Sequence, residues 1–392
     1  MEASLSCSID PRKLKHIGSG TYSDVFDIVG TKKVLRLSYY DETLLKSIAR
    51  AISTAKNVAA AERDAKNSLD ADPINVEKKM AMITNALIAS KTSPHYVRVY
   101  GSKDCLNFYH HLDRGGVLPR ARVQEFNSHK YAYKRRYNNI KILDRYTSNV
   151  TDFVRSSKSG GALYKTHTFP GKINTQFLDN VFRSIIFRVL YSLLALQNSI
   201  ENFRHNDLST NNVLIEIDSR RMVKFATTFD GRGSCVKYVL GSTSYFVPET
   251  GVDVAIGDFD FVSGGRVLIP GMTHMKILRN VKVTYGNNLN LKHHINPSKN
   301  PSYDAQHFLY TLHQSLQRST AFFLKQTLEF LKRALQGTRG NRGRNVIEAL
   351  FPQNLLKDPY FSKYKVEAGP VTATYDISRV FRTPVEEGET FI

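Results

Sequence analysis

Apolar residues recur along the chain in two rhythms, and each rhythm predicts a different kind of element. From Leu14 to Leu37, the short alternating runs LKHIGSG, SDVFDIV and KKVLRLS are separated by glycine-containing turns, which predicts three strands of an antiparallel meander. The stretch from Asp41 to Ser90 is rich in alanine, lysine and glutamate. Only Pro73 interrupts it, and because proline suits the first turn of a helix, helix is expected on both sides of Asp70-Ala71-Asp72-Pro73. Tyr96 to Tyr100 and Ile140 to Leu143 predict two more strands. After Thr175, Phe182, Ile186, Val189, Leu193 and Leu196 follow at steps of four, three, four and three, the spacing of one buried helical face that should end near Asn202. The next residues, FRHNDLSTNNVLIEI, form a polar, asparagine-rich loop running into a short apolar strand. A Gly/Ser/Thr-rich excursion, residues 218 to 252, precedes another strand in VDVAIGDFDF, and helices are expected over Tyr303 to Leu316 and Thr320 to Leu335.

A length of 392 residues leaves room for a two-lobed molecule with a sizeable core. With 41% hydrophobic and 23% charged residues, the composition excludes a disordered, collagen-like or membrane-embedded chain. Lys and Arg number 55 against 35 Asp and Glu, so the formal charge of +20 points to an anionic ligand, an acidic partner or nucleic acid. The start, MEASLSCSIDPRKLKH, has no apolar core of a signal peptide, and the apolar stretch Ile185 to Leu196 is short and carries Arg188, so no membrane partner is expected. Cys7, Cys105 and Cys235 are odd in number and lack metal-ligand spacing. Reduced thiols in a cytosol-like compartment are therefore expected, with no disulfide.

The chemistry concentrates in Asp207, Asn212 and Asp258. Phosphoryl transfer needs oxygen ligands for magnesium, a carboxylate to take the proton of the attacking hydroxyl, and donors for the phosphates. His205-Asn206-Asp207-Leu208 through Asn212 reads H-x-D-L-x-x-x-N and supplies the base Asp207 and one metal ligand, Asn212; Asp258 in Gly257-Asp258-Phe259-Asp260 supplies the second. Read alone, each segment is equally an Asx-rich turn. Their order, each beside an apolar strand and behind a long helix, favours the chemical reading. Upstream, Gly18, Gly20, Ser23 and Val25 match G-x-G-x-x-G-x-V with serine in place of the third glycine, at a hairpin where backbone N–H groups can approach phosphates.

In this order these segments resemble the protein-kinase-like phosphotransferases, over roughly Leu14 to Phe361. HNDLSTNNVL, KYVLGSTSYFVPETGVDVAIGDFDF, PSYDAQHFLYTL and LLKDPYFSKY are most similar to the divergent serine/threonine kinases of large eukaryotic DNA viruses such as iridoviruses and ascoviruses. The resemblance implies an α+β, bilobal kinase-like fold: a small antiparallel-sheet N-lobe over 1–144, a mainly helical C-lobe over 145–392, and a hinge near Asp144-Arg145-Tyr146. It also implies ATP and Mg2+ as cofactors and a protein serine or threonine as acceptor. Gly18, Gly20, Ser23 and Arg36 would then hold phosphates, Val25 and Val34 would sandwich adenine, Glu77 would pair with Arg36, and Asp304 would brace the catalytic loop. A viral protein of the host cytoplasm, or one associated with the virion, is the corresponding location.

Several positions depart from the family pattern. Arg36 stands at the strand-three lysine, and its planar fork is not a geometric equivalent of an ammonium. Asn206 replaces the arginine that pairs with a loop phosphate, Ser209 replaces a lysine, Asp260 replaces the glycine of D-F-G, and no A-P-E follows Phe261. Two alternatives stay open. Aminoglycoside- and choline-kinase-like enzymes share H-x-D-x-x-x-x-N followed by D-x-[DE], although the forty residues from Phe261 to Ser302 suit a peptide-binding segment. Arg36, Ser23 and the charge are also compatible with a pseudokinase or nucleic-acid-associated virion protein. The basic stretches Arg120 to Arg145, with eight Lys/Arg against two Asp/Glu, and Thr338 to Arg344 are candidate contacts for nucleic acid or an acidic partner, or solvated surface. His110-His111 and His293-His294 read as surface residues.

Overall fold

Strand alternation builds the first half of the molecule and helix packing the second. The computed structural model describes residues 5–20, 23–40, 42–55, 57–70, 72–127, 137–158, 175–227, 233–277, 302–317, 324–336 and 348–382. The chain divides into two compact units: the described residues to 82 with 97–145, and 83–96 with the described residues from 146 onward.

In the first unit β1 (Leu14–Ser19), β2 (Ser23–Ile28) and β3 (Lys33–Tyr39) form the meander that the alternation predicts. The helical stretch that follows is broken twice, into α1 (Glu42–Ser53), α2 (Val58–Asp70) and α3 (Pro73–Ala89). Asp72 caps α3 by accepting from the Ile74 N–H at 2.9 Å, ahead of a proline at the first turn. Then come β4 (Val99–Leu106), α4 (Phe108–Arg114), α5 (Arg120–Asn127) and β5 (Tyr137–Asp144). The strand expected over Tyr96 to Tyr100 thus starts later and runs further. The sheet has the order β1-β2-β3-β5-β4, and every neighbouring pair is antiparallel. Alternation sends Leu35, Leu37 and Tyr39 of β3 into a core with Phe26, Ile140, Phe108, Tyr109 and Leu112. Val34 and Arg36 therefore leave from the opposite face.

Two expectations fail in this unit. Cys7 and Cys105 are joined in a disulfide, with Cα atoms 5.6 Å apart and a sequence separation of 98. The cause is tertiary: Leu5, Cys7 and Ile9 pack against the sheet core, with Leu5 beside Gly101 of β4, and spacing along the chain carries no trace of that contact. The basic stretch from Arg120 is not uniformly a charged surface either, because Arg122 and Lys141 are buried in internal ion pairs. Residues 128–136, with the Tyr133 to Arg136 cluster, 278–301, with most of the proposed peptide-binding segment and His293-His294, and 337–347, with Thr338 to Arg344, lie outside the described residues.

The second unit contains β6 (Ser148–Asn149), α6 (Val150–Lys158), α7 (Thr175–Ser199) and β7 (Val213–Ile217). Val181, Ile185, Ile186, Phe187, Leu190 and Leu193 of α7 are wholly buried, so the helix is buried on all sides rather than on one stripe. Its interior Arg188 donates to the Val252 carbonyl at 2.6 Å and to Asp253 at 3.0 Å. The excursion after β7 is ordered as α8 (Ser219–Thr227) and a hairpin of β8 (Cys235–Leu240) and β9 (Thr243–Pro248), and the chain returns in β10 (Val252–Ile256). α9 (Tyr303–Gln317), α10 (Lys325–Ala334) and β11 (Val371–Asp376) follow, with β11 pairing parallel to β8. A sheet-rich N-terminal part and a mainly helical C-terminal part make this an α+β, kinase-like fold. Among the described residues no helix is long and apolar enough to cross a membrane.

Candidate functional site

Strand register brings the two chemical loops of the second unit together. β10 lies antiparallel to β7 with Ile256 opposite Val213, so the residue before β7 and the residue after β10 emerge at the same end. There the Gly257 N–H donates to the Asn212 carbonyl at 3.0 Å. The loop between α7 and β7 is closed by two tight turns, Ser209 N–H to the Asp207 carbonyl at 2.8 Å and Asn212 N–H to the Ser209 carbonyl at 3.0 Å. Within it, Nδ2 of Asn212 donates to the Asp207 carbonyl at 2.7 Å and to its carboxylate at 2.9 Å. Nδ2 is thereby committed to Asp207, so the atom Asn212 can offer a hard cation is Oδ1.

Asp304, at the start of α9 and fully buried, holds the loop by its backbone. Its carboxylate accepts the His205 N–H at 2.7 Å and the Asn206 N–H at 2.9 Å. Asn206 and Asp258 both sit in the left-handed region, at φ 66° and 59°, a strained setting that local contacts must maintain. The Asn206 side chain donates to the Phe261 carbonyl at 2.7 Å and to Ser263 Oγ at 3.0 Å, and Arg204 and Ser263 exchange backbone bonds at 2.8 and 2.9 Å. His205 makes a 3.0 Å hydrogen bond through Nε2 to the Gly257 carbonyl and packs on Phe259. The short excursion from Asp258 to Ser263 is thus tied to the Asp207 loop at both ends.

Burial pushes the Asp207 carboxyl above the usual carboxylate range; the His205 charge opposes this and that of Asp258 adds to it. Burial raises Asp304 as well, against His205. A divalent cation relieves crowding of this kind, and the donors are hard oxygens of the type magnesium takes alongside phosphate and water. Among the described residues no three His, Cys, Asp or Glu side chains are grouped to hold a metal ion. His307, on α9, was not foreseen: its Nε2 lies 4.0 Å from Asp207, and its ring stacks on Tyr303.

The other predicted residues belong to the first unit. Val25, Arg36 and Lys141 form one cross-strand row over β2, β3 and β5, while Val34 lies two residues from Arg36 on the same face. Arg36 donates to Glu77 of α3 at 2.8 Å, and Lys141 pairs with the other oxygen of that carboxylate. Lys141 escaped the sequence reading, although a lone lysine inside Ile140-Lys141-Ile142-Leu143 was a signal for a buried charge. At the hairpin, Gly18 would meet nothing within 4 Å if it carried a Cβ, and Gly20 would meet Ser23 at an ordinary 3.6 Å. Packing does not demand these glycines, and their effect is a bare backbone. Buried Asp24, also unforeseen, accepts from Ser19 at 2.5 Å, Arg122 at 3.0 Å and Tyr39, and Arg122 donates to the Gly20 carbonyl at 2.9 Å.

No family model matches the chain. Over 316 residues it is 24% identical to a protein described as "Putative serine/threonine-protein kinase R400" from Acanthamoeba polyphaga mimivirus, across 75% of this chain and 60% of that protein. The chain therefore spans about 60% of the length of this curated relative. The similarity links the chain to a kinase-like protein of a large DNA virus.

Proposed function

We propose that the protein transfers the γ-phosphate of ATP to a serine or threonine hydroxyl of a protein. The observation that carries this reading is the pairing of Ile256 with Val213, which sets Asp207, Asn212 and Asp258 at one end of a two-strand ladder. The mimiviral similarity supports it. Asp258 and Oδ1 of Asn212 would hold magnesium, which when bound supplies charge neutralisation on the phosphates.

Asp207 receives the proton of the acceptor hydroxyl as its oxygen bonds to the γ-phosphorus and the bond to the β-phosphate oxygen breaks, releasing ADP. A carboxyl raised by burial is nearer the working pH and so a better base than an exposed one. Asn212 fixes the orientation of that carboxylate. Arg36 serves the phosphates, with Glu77 as its partner, and the bare backbone of Gly18 and Gly20 with Ser23 gives N–H donors. Val25 and Val34 present an apolar surface for the base ring. Of the two locations, the Cys7–Cys105 bond supports the virion-associated one, because disulfides persist in oxidising settings.

The test is a magnesium-ATP phosphorylation assay on the full chain against casein, basic proteins and small aminoalcohols, with mass-spectrometric mapping of acceptors. Phosphoserine or phosphothreonine that disappears in Asp207→Ala and Asp258→Ala is expected. Labelled aminoalcohol with unmodified protein would assign a small-molecule phosphotransferase. Absence of both products, no thermal shift with ATP and salt-sensitive DNA binding would assign a pseudokinase.

A further inference from the structure

Lys141 is wholly buried in the first unit, an uncommon place for an ammonium group. It lies directly across the sheet from Arg36, so the two cations leave the same face of adjacent strands, where like charges repel. One carboxylate meets both: Oε1 of Glu77 accepts from Arg36 and Oε2 from Lys141. The side-chain exposures are graded, 12% for Arg36, 10% for Glu77 and 0% for Lys141. Arg36 is the outermost cation and Lys141 the innermost, beyond the reach of a ligand. A buried lysine without a counter-charge is strongly disfavoured, so Lys141 constrains where the Glu77 carboxylate sits.

We propose that Lys141 is a positioning residue for phosphoryl transfer: by gripping one oxygen of Glu77 it aims the other at Arg36 and sets the guanidinium for the nucleotide phosphates. The inference rests on the proposed kinase function and adds a residue to it. A guanidinium is longer and flatter than the ammonium usual at this strand position, so its placement depends on a fixed carboxylate. Lys141 supplies that fixation from the adjacent strand.

The experiment compares Lys141→Met and Lys141→Arg with the parent for the KM of ATP, the KM of the phosphorylated protein and kcat, after thermal unfolding has verified folding. Lys141→Met is expected to raise the KM for ATP about tenfold, equivalent to about 1.4 kcal/mol at 25 °C. The acceptor KM should stay within about twofold, since the role proposed for Arg36 is toward the nucleotide phosphates alone. Lys141→Arg, which keeps the pairing, should restore most of the loss. A purely structural lysine would instead lower the active fraction, and hence apparent kcat, without moving either KM. Should Lys141→Met lose its cooperative transition, Lys141→Gln carries the same expectation. A folded charge-removing variant with the parent's KM for ATP, or an arginine variant as poor as methionine, overturns the inference and leaves the proposed function standing. A parent without magnesium-ATP turnover overturns both.

Discussion

Replacing Asp304 by asparagine tests how the Asp207 loop is held. The carboxylate accepts two backbone N–H groups, at 2.7 and 2.9 Å, inside a fully buried site. The amide keeps one acceptor oxygen and turns an NH2 group toward the other N–H. One charge-assisted hydrogen bond is lost, at about 1.5–3 kcal/mol. The left-handed Asn206, which carries about 1–3 kcal/mol of backbone strain, loses part of its restraint. Against this, burial holds the Asp304 carboxyl above its ordinary range, so removing the charge relieves a desolvation cost. The balance is a net loss of about 1–3 kcal/mol, which for a unit of this size lowers Tm by about 2–12 °C. Activity should fall further than stability, because a shift of about 1 Å in a reacting group can cost about 10²-fold. Circular-dichroism melting and initial rates at saturating magnesium-ATP measure the two effects. An Asp304→Asn protein with the parent's Tm and rate would refute the idea that this carboxylate organises the loop.

Other consequences are as direct. Asp207→Ala should lower turnover about 10²-fold or more, the usual worth of a general base, in the same rate assay. Because folding raises the Asp207 carboxyl, its contribution to stability is fully present below the ordinary carboxylate range and is lost as pH rises through the raised value. Asp207→Asn should therefore melt above the parent at neutral pH, by a margin that shrinks on acidification, and a margin independent of pH would contradict the burial argument. Cys7→Ser, or reduction of the parent, opens a loop of 98 positions whose closure is worth up to about 4.7 kcal/mol by chain entropy. Denaturant midpoints with and without reductant measure this, and identical midpoints would count against the bond. Asn206→Ala removes two hydrogen bonds to the segment after Asp258 and should speed amide exchange at Phe261 to Ser263 while leaving β7 and β10 protected.

The parts of this protein legible in the sequence are those written in local pattern. The β1–β3 meander follows from alternation around Gly20 and Gly30, and α7 from its repeat of large apolar residues. The turn from Asp207 to Asn212 was legible because its spacing confines a carboxylate and an amide to one loop, and the Arg36–Glu77 pair because Glu77 lies early in a helix already expected. What escaped depends on partners distant in sequence. Asp24 reads as an ordinary hairpin acid until Arg122 arrives from 98 residues away, and Cys7 reads as a free thiol until β4 runs beside it. Lys141 and His307 sit in apolar or aromatic surroundings where a charged or titratable side chain breaks the pattern, and a pattern reader discounts the break as noise. The excursion after β7 looked irregular because glycine, serine and threonine recur through it, yet its hairpin is completed by a strand more than a hundred residues later.

That late strand ties the end of the described chain to the interval separating Asn212 from Asp258. β11 covers one side of β8, with Cys235 donating its thiol to the Gly369 carbonyl and its N–H to Pro370. A protein shortened before Val371 would leave β8 with an open edge and uncover Cys235, a residue that is now 1% exposed. Maleimide uptake at that single thiol would then report, molecule by molecule, whether β11 has docked.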